Sequence, residues 1–213
     1  MEDNFKFQGR RRILASELKK KGIVNKQIIK SIESIPRHLF IDPGLSEQAY
    51  VDKALPIQSN QTISQPYTVA FQTQLLNPFS GEKILEIGTG SGYQTSILCF
   101  LKAQVYTIER NHNLFRSTTK IFNKLNINPV RFKYGDGYKG LIDDSPFDGI
   151  IITAGSPTVP EELLKQLKVG GRMVVPIGKK IQVMTKITRI SINDFKKETF
   201  GNFKFVPMLK KKD

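Results

Sequence analysis

Residues 83–93, with the sequence KILEIGTGSGY, decide the fold of this chain. The first five are mostly apolar and typical of a strand, three glycines recur at every second position, and a run compatible with a helix continues to residue 101. Glycines in such a turn let the backbone adopt positive φ and let a ligand approach the main chain. The free N–H groups of the following helix point to the same place. The stretch therefore predicts a strand, a ligand-binding turn and a helix.

The spacing of the glycines distinguishes between classes of ligand. The pattern Glu-x-Gly-x-Gly-x-Gly is not the Gly-x-Gly-x-x-Gly of dinucleotide-binding proteins, and no Gly-Lys-Ser/Thr follows it as in triphosphate-binding loops. The carboxylate of Glu86 suits a cationic ligand better than a pyrophosphate. S-adenosyl-L-methionine, which carries an ammonium and a sulfonium, is such a ligand. The alternative is that the turn is only a tight connection.

Acidic residues follow the next two predicted strands. The strand at residues 104–108 ends in Glu109, about 20 residues beyond the glycines, where an acid can bind both hydroxyls of a ribose. The strand at residues 130–134 is followed by Asp136 and Gly137. The carboxyl ends of strands are where open α/β sheets bind ligands. The alternative is that each acid only caps the helix that follows it.

Several short segments, of which the glycine loop is only one, resemble one family, the protein-L-isoaspartate O-methyltransferases. In chain order they are residues 36–40 (PRHLF), 49–50 (AY), 61–67 (QTISQPY), 85–93, 136–137 (DG), 166–168 (QLK) with 170–171 (GG), and 205–207 (FVP). They cover nearly the whole chain in the family's order. The TISQP run at residues 62–66 is specific to this family, whereas the glycine loop and Glu109 are shared with S-adenosylmethionine enzymes generally.

The resemblance implies a fold and a domain organisation. We expect an α/β, Rossmann-like SAM-dependent methyltransferase fold with a mostly parallel central sheet, helices on both faces, an N-terminal helical cap and antiparallel C-terminal edge strands. Residues 1–213 are expected to form a single domain. Within it, residues 1–80 provide the cap and the substrate loop, residues 81–178 the donor-binding core, and residues 179–213 the edge strands.

The resemblance also implies a reaction. It is methyl transfer from S-adenosyl-L-methionine, which leaves S-adenosyl-L-homocysteine, to the free α-carboxylate of L-isoaspartyl residues in damaged proteins or peptides. The methyl ester closes to a succinimide, which hydrolyses partly to normal aspartate. A carboxylate with a pKa of about 3.9 is already ionised at neutral pH, so this chemistry needs no base. The sequence offers no obvious one, and catalysis is expected to rest on positioning and desolvation.

Site residues follow from the same resemblance. Ser64 matches the family's active-site serine, and the alternative is that it only caps the helix expected from Pro66. We expect Glu86 near the ammonium of the donor, Glu109 at its ribose, and Asp136 with Gly137 at its adenine. The full set expected to bind the donor is Thr62, Ile63, Glu86, Gly88, Thr89, Gly90, Ser91, Gly92, Glu109, Asp136, Gly137 and Gln182. The set expected to bind the substrate is Ser64, Pro66, Tyr67, Ala154 and Gly155.

Hydrophobic periodicity predicts the elements around this core. Residues 5–45 are expected to be helical, with Ile13, Leu14 and Leu18 on one face and an isoleucine stripe at residues 28, 29, 32 and 35. Further strands are expected at 147–154 and 173–177, followed by an antiparallel pair at 182–192 and 200–206. A helix through Leu163, Leu164 and Leu167 is expected to end at residues 170–171.

Composition restricts the remaining possibilities. With one cysteine and two histidines, a metal site is not expected, and His38 is expected at a turn or on the surface. No leader sequence or membrane span is apparent, which predicts a soluble cytoplasmic protein, and we expect a monomer.

The formal net charge of +14 would attract polyanions, but the lysine and arginine runs lack interleaved aromatic residues. A solvated basic face and no specific nucleic-acid partner are therefore expected.

Three other functions fit the sequence less well. Amine-directed nucleic-acid methyltransferases usually carry Asn/Asp-Pro-Pro-aromatic after the fourth strand, where residues 153–156 read TAGS, and cytosine-carbon forms need a placed cysteine. A non-catalytic protein that retains the S-adenosylmethionine site would have no reason to keep both the glycine loop and the TISQP run. An NAD dehydrogenase is disfavoured by the glycine spacing.

Overall fold

The computed structural model describes residues 3–213. The helices are α1 (Phe5–Lys20), α2 (Lys26–Ser34), α3 (Pro66–Leu76), α4 (Tyr93–Phe100), α5 (His112–Leu125) and α6 (Glu161–Lys165), with short 3-10 helices at Arg37–Phe40, Pro43–Gln48, Gly137–Lys139 and Ile142–Asp144. The strands are β1 (Leu55–Pro56), β2 (Thr62–Ile63), β3 (Lys83–Ile87), β4 (Gln104–Glu109), β5 (Arg131–Tyr134), β6 (Phe147–Ile152), β7 (Leu167–Ile177), β8 (Gln182–Arg189) and β9 (Phe195–Phe203). Among these residues, no helix is both long and apolar enough to cross a membrane.

Seven strands form the central sheet, in the order β5-β4-β3-β6-β7-β8-β9. The first five strands in this order pair in parallel, and β8 and β9 add antiparallel at one edge. The chain passes from β3 outward to β4 and β5, and then returns to place β6 on the other side of β3. Such a reversal leaves a crevice at the carboxyl ends of the two central strands. The expected α/β fold, with its antiparallel edge strands, is confirmed.

Helices cover both faces of this sheet because side chains alternate along each strand. In β3, Ile84 packs in one core with Leu98 of α4, whereas Leu85 packs in a second core with Leu163 of α6. Glu86 follows Leu85 and therefore points to the same side as Ile84.

The N-terminal helices pack on the α4 side. The expected isoleucine stripe of α2 is buried, in one cluster with Tyr93 and Ile97 of α4. In α1, Leu14 and Leu18 are buried as expected, but Ile13 is 63% exposed, so its placement on the same face was wrong. The buried residues of α1 are Phe7, Arg11, Leu14, Ala15 and Leu18, which recur every three or four positions and leave residue 13 outside the stripe.

Two expected boundaries near residue 170 were also wrong. Helix α6 ends at Lys165, and β7 already begins at Leu167, so Leu167 belongs to the sheet. Gly170, with φ of 82°, lies inside β7, where the register against β6 shifts. A glycine with positive φ serves a strand irregularity as well as it serves a helix end, and the sequence does not distinguish these uses. At the edge, β9 begins at Phe195, five residues before the expected strand.

Candidate functional site

The glycine loop after β3 exposes its main chain at the crevice. Gly88, Gly90 and Gly92 have φ of 93°, 55° and 86°. A Cβ on Gly88 would lie 2.6 Å from Oγ1 of Thr153, and one on Gly92 would collide with Phe122 of α5. Glycine is therefore required at both positions by backbone conformation and by space. Gly88 and Gly90 line the crevice, whereas Gly92 serves the packing of α4 on α5.

Two adjoining clefts open beside this loop. The Glu109 cleft is bounded by Glu109, Gly137, Ala154 and residues 206–209, and the Ser64 cleft by residues 62–64, 88–91 and Gln94. Both clefts share Thr62, Gly88, Gly90 and Thr153, so they form one continuous space along the loop. Of the residues expected to bind the donor or the substrate, ten line one of the clefts: Thr62, Ile63, Ser64, Gly88, Thr89, Gly90, Ser91, Glu109, Gly137 and Ala154.

Glu109 ends β4 with its carboxylate on the wall of the Glu109 cleft. One oxygen accepts a hydrogen bond from the N–H of Gly90 and the other from the N–H of Asn111, each at 2.8 Å. Burial raises the pKa of this carboxyl, and the backbone N–H groups of Asn111 and Gly90 oppose the shift. Each carboxylate oxygen has a second lone pair. Glu109 can therefore hold the glycine loop and still accept hydroxyl groups from a ligand.

Glu86 is placed differently from Glu109. Its side chain is fully buried behind the loop, where Oε2 accepts hydrogen bonds from Thr95 at 2.5 Å and Thr107 at 2.8 Å. Burial raises its pKa to about 8. Glu86 lines neither cleft. The direct contact with an ammonium group that we expected is not favoured by this placement, because residue 86 lies level with Thr107, two residues deeper in the sheet than Glu109.

The raised pKa of Glu86 predicts a pH-dependent stability. In the unfolded chain its pKa is about 4.3, so between about pH 4.3 and 8 the folded state holds a proton that the unfolded state has lost. Stability from this group is therefore greatest at acid pH and falls as the pH rises through 8. We expect Glu86→Gln, which stays neutral, to raise Tm relative to the wild type more at pH 9 than at pH 5.

Thermal unfolding at the two pH values measures this effect. Glu17→Gln, on the exposed side of α1, is the matched control and should leave Tm unchanged at both. A Tm difference between Glu86→Gln and the wild type that is the same at both pH values would contradict the assignment.

Ser64 does not cap α3. The N-cap position of that helix is Gln65, and its side chain makes no capping hydrogen bond. The N–H of Tyr67 instead donates to Oδ1 of Asp52 at 2.8 Å, and Oδ2 of Asp52 accepts from Lys21 at 2.6 Å. Asp52 therefore stabilises the helix start from another segment, and the alternative explanation for Ser64 falls away. No local pattern pointed to Asp52, because it lies 15 residues before Tyr67.

Ser64 stands where the Ser64 cleft meets a larger groove of about 1030 Å³. This aromatic groove runs between the start of α3 and the end of β9, and its aromatic side chains are Tyr67, Phe71, Phe200, Phe203 and Phe205. The ring of Phe71 stacks on Tyr67 at 5.5 Å and on Phe203 at 5.6 Å between centroids. Lys204 adds a cation to its lining. A chain in the groove would pass the hydroxyl of Ser64.

Other expected site residues lie beside the clefts without lining them. The carboxylate of Asp136 accepts from the N–H groups of Tyr138 and Lys211, at 2.9 and 2.8 Å. Gln182 is buried; its Oε1 accepts from the N–H of Phe205 and its Nε2 donates to the carbonyl of Lys179, both at 2.8 Å. These side chains hold the C-terminal segment in place. The remaining ones outside the clefts are Pro66, at the start of α3, and Gly155, which packs against Gln182.

The C-terminal segment was missed as part of the site. Residues 206–209 line the Glu109 cleft, and they are held by hydrogen bonds of 2.8 Å from the N–H of Gly155 to the carbonyl of Val206 and from the N–H of Met208 to the carbonyl of Gly155. The carboxylate of Asp213 pairs with Arg110, directly after Glu109. The motif at residues 205–207 was visible, but its position at the crevice depends on contacts with Gly155, about 50 positions earlier.

His38 was expected at a turn or on the surface. Its side chain is buried, so the expected exposure was wrong. Its ring stacks on Phe7 of α1 at 4.0 Å, and its Nδ1 is 2.6 Å from the hydroxyl of Tyr50.

Burial raises the pKa of Cys99 to about 12. Within residues 3–213, neither cleft is lined by a histidine, cysteine or lysine.

Comparison with known proteins gives consistent findings. A family model described as protein-L-isoaspartate(D-aspartate) O-methyltransferase matches residues 9–213. A protein-L-isoaspartate O-methyltransferase of Christiangramia forsetii is 52% identical over 213 residues, the full length of both chains. One of Syntrophus aciditrophicus is 45% identical over 98% of this chain and 97% of its own.

Solved structures agree in fold. A protein-L-isoaspartate O-methyltransferase superposes with a TM-score of 0.83 at 30% identity, covering 92% of this chain and 65% of that one. A Plasmodium falciparum protein crystallised with S-adenosyl-L-homocysteine superposes with a TM-score of 0.82 at 23% identity, covering 98% of this chain and all of that one.

Proposed function

The chain belongs to the protein-L-isoaspartate(D-aspartate) O-methyltransferase family, and we infer from this that it methylates the free α-carboxylate of L-isoaspartyl residues in damaged proteins and peptides. The methyl donor is S-adenosyl-L-methionine and the second product is S-adenosyl-L-homocysteine. The observation that carries the proposal is the position of Ser64. Its hydroxyl does not cap α3, and the residue lies where the Ser64 cleft meets the aromatic groove of about 1030 Å³.

The residues around the two clefts fit this donor. Glycines at positions 88 and 90 leave the backbone open to a close-lying ligand, and the carboxylate of Glu109 has lone pairs for two ribose hydroxyls. We propose that Gly137 and residues 206–209 surround the adenine, while the loop and residues 62–64 surround the methionine portion. The bound donor supplies an electrophilic methyl group on its sulfonium.

The protein's own contribution is placement of the carboxylate. We propose that the hydroxyl of Ser64 donates a hydrogen bond to the substrate carboxylate and holds one of its oxygens toward the Ser64 cleft. Asp52 already occupies the N–H of Tyr67, so the start of α3 is a weaker anion site than its position suggests. Because the isoaspartyl carboxylate is ionised, no residue has to remove a proton. Orientation and exclusion of water supply the rate.

The test is a labelled-methyl assay with purified protein. Three acceptors are compared: a peptide with one L-isoaspartyl residue, the same peptide with normal aspartate, and total RNA. Base-labile label on the first peptide alone is the expected result. Label on RNA would favour a nucleic-acid methyltransferase, and binding of the donor without transfer to any acceptor would favour a non-catalytic protein of the same fold.

The aromatic groove predicts which peptides are preferred. The ring of Phe71 forms the centre of the stacked aromatic wall, between Tyr67 and Phe203. Aromatic pairs contribute about 0.5–1.5 kcal/mol beyond their buried area. We therefore expect peptides with an aromatic residue beside isoaspartate to be better substrates than peptides with an acidic neighbour. Phe71→Arg should shift the ratio of their kcat/KM values toward the acidic peptide by about tenfold.

The measurement is the ratio of kcat/KM for two matched peptides, so a lower folded fraction cancels. Peptides with the neighbour on either side of isoaspartate should be tested. Phe5→Arg is the matched control, because Phe5 is 89% exposed on α1 and lies outside the groove. An unchanged ratio in Phe71→Arg would show that the groove does not read the neighbouring side chain.

A further inference from the structure

The side-chain oxygen of Gln94, Oε1, is a buried hydrogen-bond acceptor. Gln94 is the second residue of α4, is 6% exposed, and lines the Ser64 cleft. Its Nε2 donates to Oγ1 of Thr73 on α3 at 3.0 Å. Its Oε1 is buried and, within residues 3–213, has no hydrogen-bond partner. A buried polar atom without a partner is uncommon in folded proteins and calls for a physical account.

The orientation of this amide is decided by Thr73. The hydroxyl of Thr73 donates its only proton to the carbonyl of Val69 at 2.7 Å, so toward Gln94 it can only accept. A flipped amide would bring two acceptors together. Nε2 must therefore face Thr73, and Oε1 must face away from it. The position of Oε1 therefore follows from the hydrogen bonds of Thr73. It does not depend on an arbitrary assignment of the amide oxygen and nitrogen of Gln94.

The position of Gln94 restricts the group that can satisfy Oε1. The Ser64 cleft is continuous with the Glu109 cleft through Thr62, Gly88 and Gly90. A donor whose ribose lies at Glu109 therefore extends its methionine end toward Gln94. That end carries one strong hydrogen-bond donor, the ammonium group. The carboxylate expected to bind it, Glu86, lines neither cleft: its Oε2 is occupied by Thr95 and Thr107, and its Oε1 is buried behind the loop.

We propose that Oε1 of Gln94 accepts a hydrogen bond from the ammonium of the bound methyl donor. The proposal rests on the proposed function, since it assumes this donor. It assigns Gln94 the role that sequence reasoning gave to Glu86. A neutral amide oxygen does not need the desolvated negative charge that a carboxylate at this depth would carry, and burial opposes such a charge.

The experiment compares two ligands by calorimetry. One is S-adenosyl-L-homocysteine, and the other is its deaminated analogue, which keeps the carboxylate and lacks the amine. In Gln94→Met, which preserves volume, the Kd of S-adenosyl-L-homocysteine should rise about tenfold, while that of the analogue should change less than about twofold. Gln104→Met, at the exposed start of β4, is the matched control and should change neither.

A second variant guards against a folding defect. In Gln94→Glu, burial keeps the carboxyl protonated, so its O–H can replace Nε2 as the donor to Thr73 while its carbonyl oxygen stays in place. This variant should retain the preference for the amine-bearing ligand that Gln94→Met loses. Equal loss of both ligands in Gln94→Met would mean that Gln94 only supports the packing of α3 on α4 and would overturn the proposal. Unchanged binding of both would mean that Oε1 is satisfied by water, which overturns it as well. If the wild type binds neither ligand, the proposed function itself fails.

Discussion

Replacing Glu109 by alanine is expected to weaken binding of S-adenosyl-L-homocysteine by 10-fold to 150-fold, or roughly 1.4–3 kcal/mol. Two losses combine in this variant. The hydroxyls of the ribose lose a charged acceptor, and the N–H groups of Gly90 and Asn111 lose the oxygens that now hold them at 2.8 Å. Because Gly90 is part of the loop that contacts the ligand, the site loses both a contact and its preorganised shape.

Calorimetry with purified, folded Glu109→Ala tests this expectation. Glu17→Ala, on the exposed side of α1, is the control for loss of a glutamate outside the site. Thermal unfolding should also show a lower Tm for Glu109→Ala, since two part-buried N–H groups lose their partners. Affinity within twofold of the wild type in a folded Glu109→Ala protein would remove Glu109 from the donor site.

Replacing Ser64 by alanine is expected to lower kcat by 10-fold to 150-fold on an isoaspartyl peptide, while the Kd of S-adenosyl-L-homocysteine changes less than about twofold. The expected loss corresponds to one hydrogen bond to a charged group, roughly 1.5–3 kcal/mol. Ser64 lines the groove as well as the cleft, so we expect loss of its hydroxyl to affect the carboxylate that is being methylated more than the donor.

Stability separates this catalytic role from a structural one. Ser64→Ala should leave Tm unchanged, because the side chain that caps α3 belongs to Asp52. Asp52→Ala should lower stability by about 0.5–2 kcal/mol, the usual cost of a lost N-cap. Ser80→Ala, in the exposed loop after α3, controls for loss of a serine hydroxyl. A fall in Tm for Ser64→Ala, with donor affinity and turnover lost together, would assign Ser64 to the helix instead.

The two acids flanking the loop show where sequence reasoning reaches its limit. Glu86 and Glu109 both lie at the carboxyl ends of predicted strands, and both were expected to contact the donor. Only Glu109 lines a cleft, whereas Glu86 is turned toward α4 and bonded to two threonines. The register pairs Glu86 with Thr107, so Glu86 and Glu109 point to the same face of the sheet, but Glu109 lies two residues nearer its carboxyl edge, at the cleft. Which acid reaches a ligand therefore depends on the register between the strands, which no single strand's sequence shows.

The sequence by itself determined the glycine loop, the strand that precedes it, the parallel core and the family segment at residues 62–66. These features are encoded locally, because positive φ, hydrophobic alternation and short motifs are properties of neighbouring residues. Only the tertiary structure decided that Asp52 caps α3, that residues 206–209 line the Glu109 cleft, and that Gln94 keeps an unpaired oxygen. Each of these depends on atoms brought together from distant parts of the chain, and such contacts leave no mark on the local sequence.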